Sequence, residues 1–400
     1  MREPNPINRM ELSEKNTVYR WIAVIALLVI GAVGITVGIM SLLNKETGWQ
    51  KVQVTPQERN CSENFILQYN FSGSGAEATA VNNKLQAAYG EACVKAYQLF
   101  TPDEEIVGVN NIYYVNHNPN TEITVDPVLY AAFQKMDNTP WLYLGPAYAH
   151  YYNVILGADE ARVDDLDPLV SQEAKDYVGR IAAFAADRDA ISLELLGDNR
   201  VILRVREDYL AFAAEEEIES FIDFAYLTNA FIIDYLADTL VAQNLTEGYI
   251  VSADGYTRNL DTAHTFSFNI FDRVENLVYP AAVMEYHGPV SLVFFKDYPT
   301  ANSDVNYRGR EDRFLHLFVD PTDGVCRTSV ENLVSYSYDS SCAEVALAML
   351  PSFVGSSFQV PKGVFSVWCE GENICYNDDS ISFHDLLTSQ EMSYSAVLRK

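Results

Sequence analysis

Asp223-Phe-Ala-Tyr-Leu-Thr-Asn-Ala-Phe-Ile-Ile-Asp234 decides how this chain is read, because it frames an apolar run at helical spacing between two acids. Phe221, Phe224, Ala225, Leu227 and Phe231 fall in one stripe, and the pattern extends a single helix from Glu215 to Ala242. Asp223 stands where an acid caps or precedes a helix, favourable at the positive end. Asp234, further along, reads as a solvated helix residue. The chain continues into Gly248-Tyr-Ile-Val-Ser-Ala-Asp-Gly255, a short strand closed by turn residues.

Toward the N-terminus, Phe65, Leu67 and Tyr69 alternate as a strand that Ser72-Gly73-Ser74-Gly75 closes. Ala76 to Phe100 has helical spacing and is halted by Thr101-Pro102. Ile123 to Val125 reads as a strand and Val128 to Met136 as an amphipathic helix. Ser171 opens a helix to about Ala186, with Glu173 near its start. Ile191 to Leu195 and Val201 to Val205 flank Gly197-Asp198-Asn199 as a hairpin. Strands are expected at Tyr249 to Ser252, Thr265 to Ile270, Val290 to Phe295, Leu315 to Val319 and Val364 to Trp368, with a helix from about Ala343. Helices before, between and after strands give one α+β domain.

The 400 residues carry a formal net charge of −28, which repels nucleic-acid phosphates and anionic membrane surfaces. With 48% hydrophobic residues a full core is available. Trp21 to Leu43 has no charged residue, and it is longer than the roughly 20 residues needed to span a bilayer. No small-residue cleavage site follows it, so it reads as an uncleaved transmembrane helix rather than a signal peptide. Arg2, Arg9, Lys15 and Arg20 precede the span and only Lys45 and Lys51 follow closely, which keeps the N-terminus cytoplasmic. The expected layout is a cytoplasmic tail over 1–20, the span over 21–43, a stalk over 44–60, an extracytoplasmic domain over 61–390 and a tail over 391–400.

All six cysteines fall after the span. An even count in an oxidising compartment favours disulfides, and sequence proximity favours Cys61–Cys93, Cys326–Cys342 and Cys369–Cys375 among the possible pairings. There is no C-x-x-C pair, no G-x-S-x-G elbow, no phosphate loop, no G-x-G-x-x-G and no H-E-x-x-H. The common zinc, serine-hydrolase and nucleotide-loop chemistries have no foothold.

Three segments, in order, resemble the FAD:protein FMN transferases, the ApbE family. Asp223 to Asp234 is similar to its D-L-G-G-I-A-K-G-Y-x-x-D helix entry. Leu315-His-Leu-Phe-Val-Asp-Pro-Thr-Asp-Gly324 resembles H-H-I-I-D-P-x-T-G, and Cys342-Ala-Glu-Val-Ala-Leu-Ala-Met349 stands where the family has an A-D-A-x-A-T helix. Gly145 falls at the family's G-A-F-D-P turn. The likeness covers about Asn64 to Leu387. It implies an FMN-transferase-like α+β fold, with cofactor contacts at Asp223, Asn229, Ser252, Gly255, His316 and Asp320. It also implies a cation held at Glu344, and transfer of FMN from FAD to a threonine or serine hydroxyl with Mg²⁺.

The departures from the family lie at the chemistry. The metal-binding aspartate and threonine read Glu344 and Ala348, the motif lysine reads Asn229, and its first glycine reads Ala225. Phe294-Phe295-Lys296 replaces a small T-S-G, which is expected to close the pocket. A hard cation needs oxygen ligands, and alanine supplies none. Taken alone, His316 inside an apolar run is a packing histidine, and Asp320-Pro-Thr-Asp-Gly324 is turn chemistry. The expectation is therefore a membrane-anchored, extracytoplasmic binding or accessory module of an envelope flavoprotein or redox complex, with no catalytic residue assigned. Two rivals stand beside it: a working Mg²⁺-dependent transferase with Glu344 as ligand, and a structural surface protein.

Overall fold

A computed structural model describes residues 47–54, 58–136, 139–275, 277–301, 304–311, 313–389 and 392–399. The expected tail 1–20 and span 21–43 lie outside the described residues. Among the described residues, no helix is long and apolar enough to cross a membrane. The chain divides into two compact units, one of residues 49–70 with 84–400 and one of 71–83 with the chain up to 48.

The larger unit is built on a nine-stranded sheet whose spatial order follows the chain. Its strands are β1 (Gly48–Lys51), β2 (Phe65–Phe71), β3 (Gly248–Ser252), β4 (Tyr256–Asn259) and β5 (Val290–Lys296), then β6 (Asn332–Ser337), β7 (Phe365–Glu370), β8 (Asn373–Tyr376) and β9 (Ser395–Leu398). Neighbours from β2 to β8 are antiparallel, and β9 closes the edge parallel to β8. Every residue of β5 is buried, and its mostly apolar sequence suits a strand covered on both faces.

Among the helices are α1 (Gly75–Phe100), α2 (Thr228–Ala242), whose first turn borders the site, and α3 (Cys342–Phe353). Helices α2 and α3 pack on each other and on β4 and β5. The other face of the sheet is covered by the hairpin Thr265–Val274/Leu277–His287, whose Ile270, Ala282 and Met284 join Phe294, Val334 and Tyr336 in one cluster. A second, three-stranded sheet takes Glu122–Thr124 and the expected hairpin, where Asp198 and Asn199 adopt φ of 52° and 60°. Both positive angles are those of a type I′ turn.

Several expectations need correction. The continuous helix from Glu215 to Ala242 is broken: one helix ends at Glu215, the chain extends, and α2 starts only at Thr228. Glu215, Glu216 and Glu217 crowd negative charge at a helix C-terminus, where the dipole disfavours it. The extended part finds its partner in a distant side chain. Asn116 accepts from the N–H groups of Phe221 (3.0 Å) and Ile222 (2.9 Å) and donates to the Ile222 carbonyl (2.9 Å). Gly145 lies so close to this segment that a Cβ would sit 2.7 Å from the Ser220 carbonyl oxygen. The strand expected over Leu315 to Val319 shrinks to Phe314–Leu315 plus a bridge between Val319 and Cys326. Part of the 44–60 stalk is the edge strand β1, and part of the 391–400 tail is β9.

The disulfide expectation is also corrected, since all six cysteines are free. Cys369 faces Ile374 and Cys375 faces Trp368 across β7 and β8, so the two side chains leave opposite faces of the sheet. Cys342 begins α3 and donates its thiol to the Thr257 carbonyl (3.3 Å), whereas Cys326 donates its backbone N–H to the Tyr151 hydroxyl (2.8 Å). Cys61 and Cys93 are neighbours, but the Cys61 thiol donates to the Cys93 carbonyl at 3.3 Å.

Candidate functional site

A cleft of about 950 Å³ opens between the turn into α2, the β3–β4 turn, residues 300, 301 and 304–307, and the helix Gly145–Tyr152. That helix ends in a π-turn over Asn153–Gly157, a form that clusters at functional sites. The turn into α2 is fixed by Asp223, whose Oδ1 accepts from the Ala225 N–H at 2.8 Å. Ala225 then adopts φ of 48°, the left-handed conformation that glycine would take without strain.

Asp223 lines the cleft, and burial, reinforced by the charge of Asp103, pushes its carboxyl up to about 6. Asn229, in the first turn of α2, donates to one oxygen of Asp254, and Asn306 donates to the other at 3.2 Å. Burial also raises the Asp254 carboxyl, opposed by its bond to Asn229. Lys296, at the end of β5, is 5% exposed and donates to Asp304 at 2.5 Å. The cleft wall thus shows Asp103, Asp223, Asp254 and Asp304 against one lysine that is already paired.

His316 lies at the back, 4% exposed. Burial and the nearby Arg313 charge lower its imidazole to about 3, so it is neutral. Its Nδ1 accepts from the Phe318 N–H at 3.2 Å, which leaves the proton on Nε2. The packing role expected of His316 is therefore correct but incomplete, because the ring also borders the cleft. Phe318 and Tyr226 pack beside it, tilted by 47° with ring centroids 4.6 Å apart.

Of the residues singled out in the sequence, the structure brings Asp223, Asn229 and His316 into the cleft. Ser252 and Gly255 stand just behind it and shape the turn that carries Asp254. Ser252 Oγ accepts from the Asp254 N–H (3.2 Å), and Gly255 has φ of 95°. Asp320 does not line the cleft. Its Oδ1 accepts from the Thr322 N–H (2.9 Å) and hydroxyl (2.7 Å), and Arg327 lies 3.6 Å from Oδ2. Glu344 is elsewhere too, closing a capping box with Ser341 and pairing with Lys135 at 3.3 Å on the surface. Asp223, Asp320 and Glu344 therefore do not converge on one cleft.

The expected closure of the pocket by two phenylalanines is also corrected. Phe294 points to the opposite face of the sheet, into the cluster beneath the hairpin, and only Phe295 borders the cleft, which stays open.

Asp234 is the larger surprise. It is buried, not solvated, and its two oxygens accept from the N–H groups of Cys342 and Ala343, each at 2.9 Å. The last acid of the first motif thus caps the helix of the third. With Glu344 paired to Lys135 on the surface and Ala348 bearing no oxygen, the residues present do not fit the magnesium site that the resemblance implies. Among the described residues, no group of three or more His, Cys, Asp or Glu side chains is placed to hold a metal. Nor does the cleft fit a diphosphate, since its acids outnumber its one committed cation.

The sequence reading missed Asp254, Asp103, Tyr226 and the Lys296–Asp304 pair. Asp254 was visible only as the third residue of a turn, and nothing in a turn sequence distinguishes an acid aimed at a cleft from one aimed at solvent.

No protein-family profile matches the chain, and no curated protein sequence matches it. Solved structures do. The ApbE protein of Thermotoga maritima MSB8 superposes with a TM-score of 0.51 at 11% identity, covering 76% of this chain and 90% of that one. The flavin transferase ApbE of Vibrio cholerae gives a TM-score of 0.52 at 10% identity, over 85% of this chain and 97% of that one. At such identity the likeness is one of fold and not of activity. This chain has the fold of the ApbE flavin transferases.

Proposed function

We propose that this chain is a flavin-transferase-like protein that uses its cleft for binding and does not transfer FMN by the route its fold suggests. In the same reading it is membrane-anchored through 21–43 and works outside the cytoplasm as an accessory module of an envelope redox or transport complex. One observation carries the proposal: at the two side-chain positions the family resemblance assigns to the metal, Glu344 is committed to a surface capping box and to Lys135, and Ala348 carries no ligating oxygen. Phosphoryl transfer depends on charge stabilisation at the transferred group, so losing that set removes the main catalytic term. The acids facing the cleft add repulsion where a diphosphate would lie.

The visible flavin absorbance of the purified protein after incubation with FAD and Mg²⁺, then desalting, tests this directly. The expected spectrum lacks flavin bands. Stoichiometric retained flavin would overturn the proposal.

A further inference from the structure

The cleft combines three features that bear on what it takes. Its wall carries Asp103, Asp223 and Asp254, while its lysine is already paired with Asp304. Its floor is aromatic and continuous: His316 and Phe318 have ring centroids 5.6 Å apart, Phe318 and Tyr226 4.6 Å, and Tyr226 and Phe295 6.0 Å. At one end of that floor, His316 is almost wholly buried with Nδ1 occupied, and no acceptor among the described residues meets its Nε2–H. This Nε2 is not among the fully enclosed unpaired polar atoms of the described residues; it opens onto the cleft, where a ligand oxygen can accept its N–H.

Resting on the non-transferring reading above, we propose that the cleft binds an organic ammonium group carried on a chain that also presents a carbonyl oxygen, the chemistry of a lysine side chain within a peptide. The ammonium sits against Asp223 and Asp254, within the field of Asp103, whose charge already acts on Asp223. Each Asp254 oxygen accepts one amide N–H and keeps a second lone pair free for it. The methylene stem lies along Tyr226 and Phe318, whose ring faces also attract the cation. The carbonyl accepts from His316 Nε2–H. A cation in this position offsets the mutual repulsion of the gathered acids, which an anion would increase.

The test is calorimetric titration of the full-length protein in detergent. The probes are Nα-acetyl-lysine N-methylamide, its Nε-acetylated counterpart, which keeps the carbonyls and loses the charge, and FAD with Mg²⁺. Saturable binding of the cationic probe is expected, with none for the neutral one. Asp254→Asn and Asp103→Asn should each weaken binding about tenfold, the equivalent of about 1.4 kcal/mol. Asp103 is exposed on its loop, so that variant keeps the test valid should Asp254→Asn fail to fold. No saturable binding, equal binding of the neutral probe, or unchanged affinity in Asp103→Asn would overturn the inference. Failure of the lysine probe with FAD also unbound removes this inference alone. Tight FAD binding in the presence of Mg²⁺ removes the reading beneath it.

Discussion

Replacing Asp234 by alanine strips the cap from α3, and the structure fixes how much that should cost. The carboxylate accepts from two backbone N–H groups at 2.9 Å each, both at the first turn of a buried helix, and Arg258 Nε lies 3.5 Å from Oδ1. Leaving a buried N–H unpaired costs about 1–3 kcal/mol, so two such groups give a range of about 2–6 kcal/mol. Two effects move the expectation to the lower half. The site is 7% exposed, which lets water reach the gap, and burial already raises the Asp234 carboxyl, so some of its favourable bonding is spent on desolvation. The resulting expectation is about 3 kcal/mol. In a unit of this size, with about 2.1 cal/mol/K of unfolding entropy per residue, that lowers Tm by roughly 4 °C. Asp234→Asn keeps one acceptor oxygen and should lose about half as much. Urea unfolding of the three proteins, followed by tryptophan fluorescence, measures the series. A loss below about 1 kcal/mol in Asp234→Ala would refute the claim that this side chain joins the two motif helices.

Four further outcomes follow from the same geometry. Ala225→Gly should stabilise by up to about 1 kcal/mol, because it relieves a left-handed alanine while loosening the unfolded chain, and thermal unfolding reads the difference. Gly255→Ala should destabilise by more than about 2 kcal/mol, since φ is 95° there and a Cβ would run into the Phe294 carbonyl; a melting curve like that of the parent would contradict this. Asp223 has its folded pKa raised to about 6 from 3.8, so the native state binds the extra proton and stability from this group grows as pH falls from about 7 to about 4. Asp223→Asn should remove that slope, worth on the order of 2 kcal/mol, and unfolding at a series of pH values tests it. Glu344→Ala should cost no more than about 1 kcal/mol and leave divalent-cation binding unchanged, as expected of an exposed pair and a cap. Calorimetry with Mg²⁺ checks the second half.

Local signals in the sequence located most elements because each rests on near neighbours. Ser171 does accept from the Ala174 N–H, the Asp198-Asn199 turn does close its hairpin, and β2, β3, β5 and β7 lie where alternation or apolar runs put them. The break between Glu215 and Thr228 was not legible, because the extended segment is held by Asn116, more than a hundred residues earlier in the chain. The function of Asp234 was hidden for the same reason: a residue inside a helix looks solvated until the helix it caps is known to pack beside it. Phe294 and Phe295 could not be assigned to faces without the register of β5, since one residue of slip exchanges core and cleft. Of the candidate site, Asp223, Asn229 and His316 were legible through motif order. Asp103, Asp254, Tyr226 and the Lys296–Asp304 pair became visible only when separate loops met.

This chain has an ApbE-like fold, and we propose that it lacks the means to transfer FMN. The most direct measurement is a transfer assay with FAD, Mg²⁺ and an acceptor protein bearing the family's threonine target, read by in-gel flavin fluorescence. No labelled acceptor is expected, and none after Ala348→Thr with Asn229→Lys, because Glu344 stays on the surface with Lys135 and the cleft wall stays acidic. Strong labelling by the unaltered chain that vanishes in Glu344→Ala would contradict it.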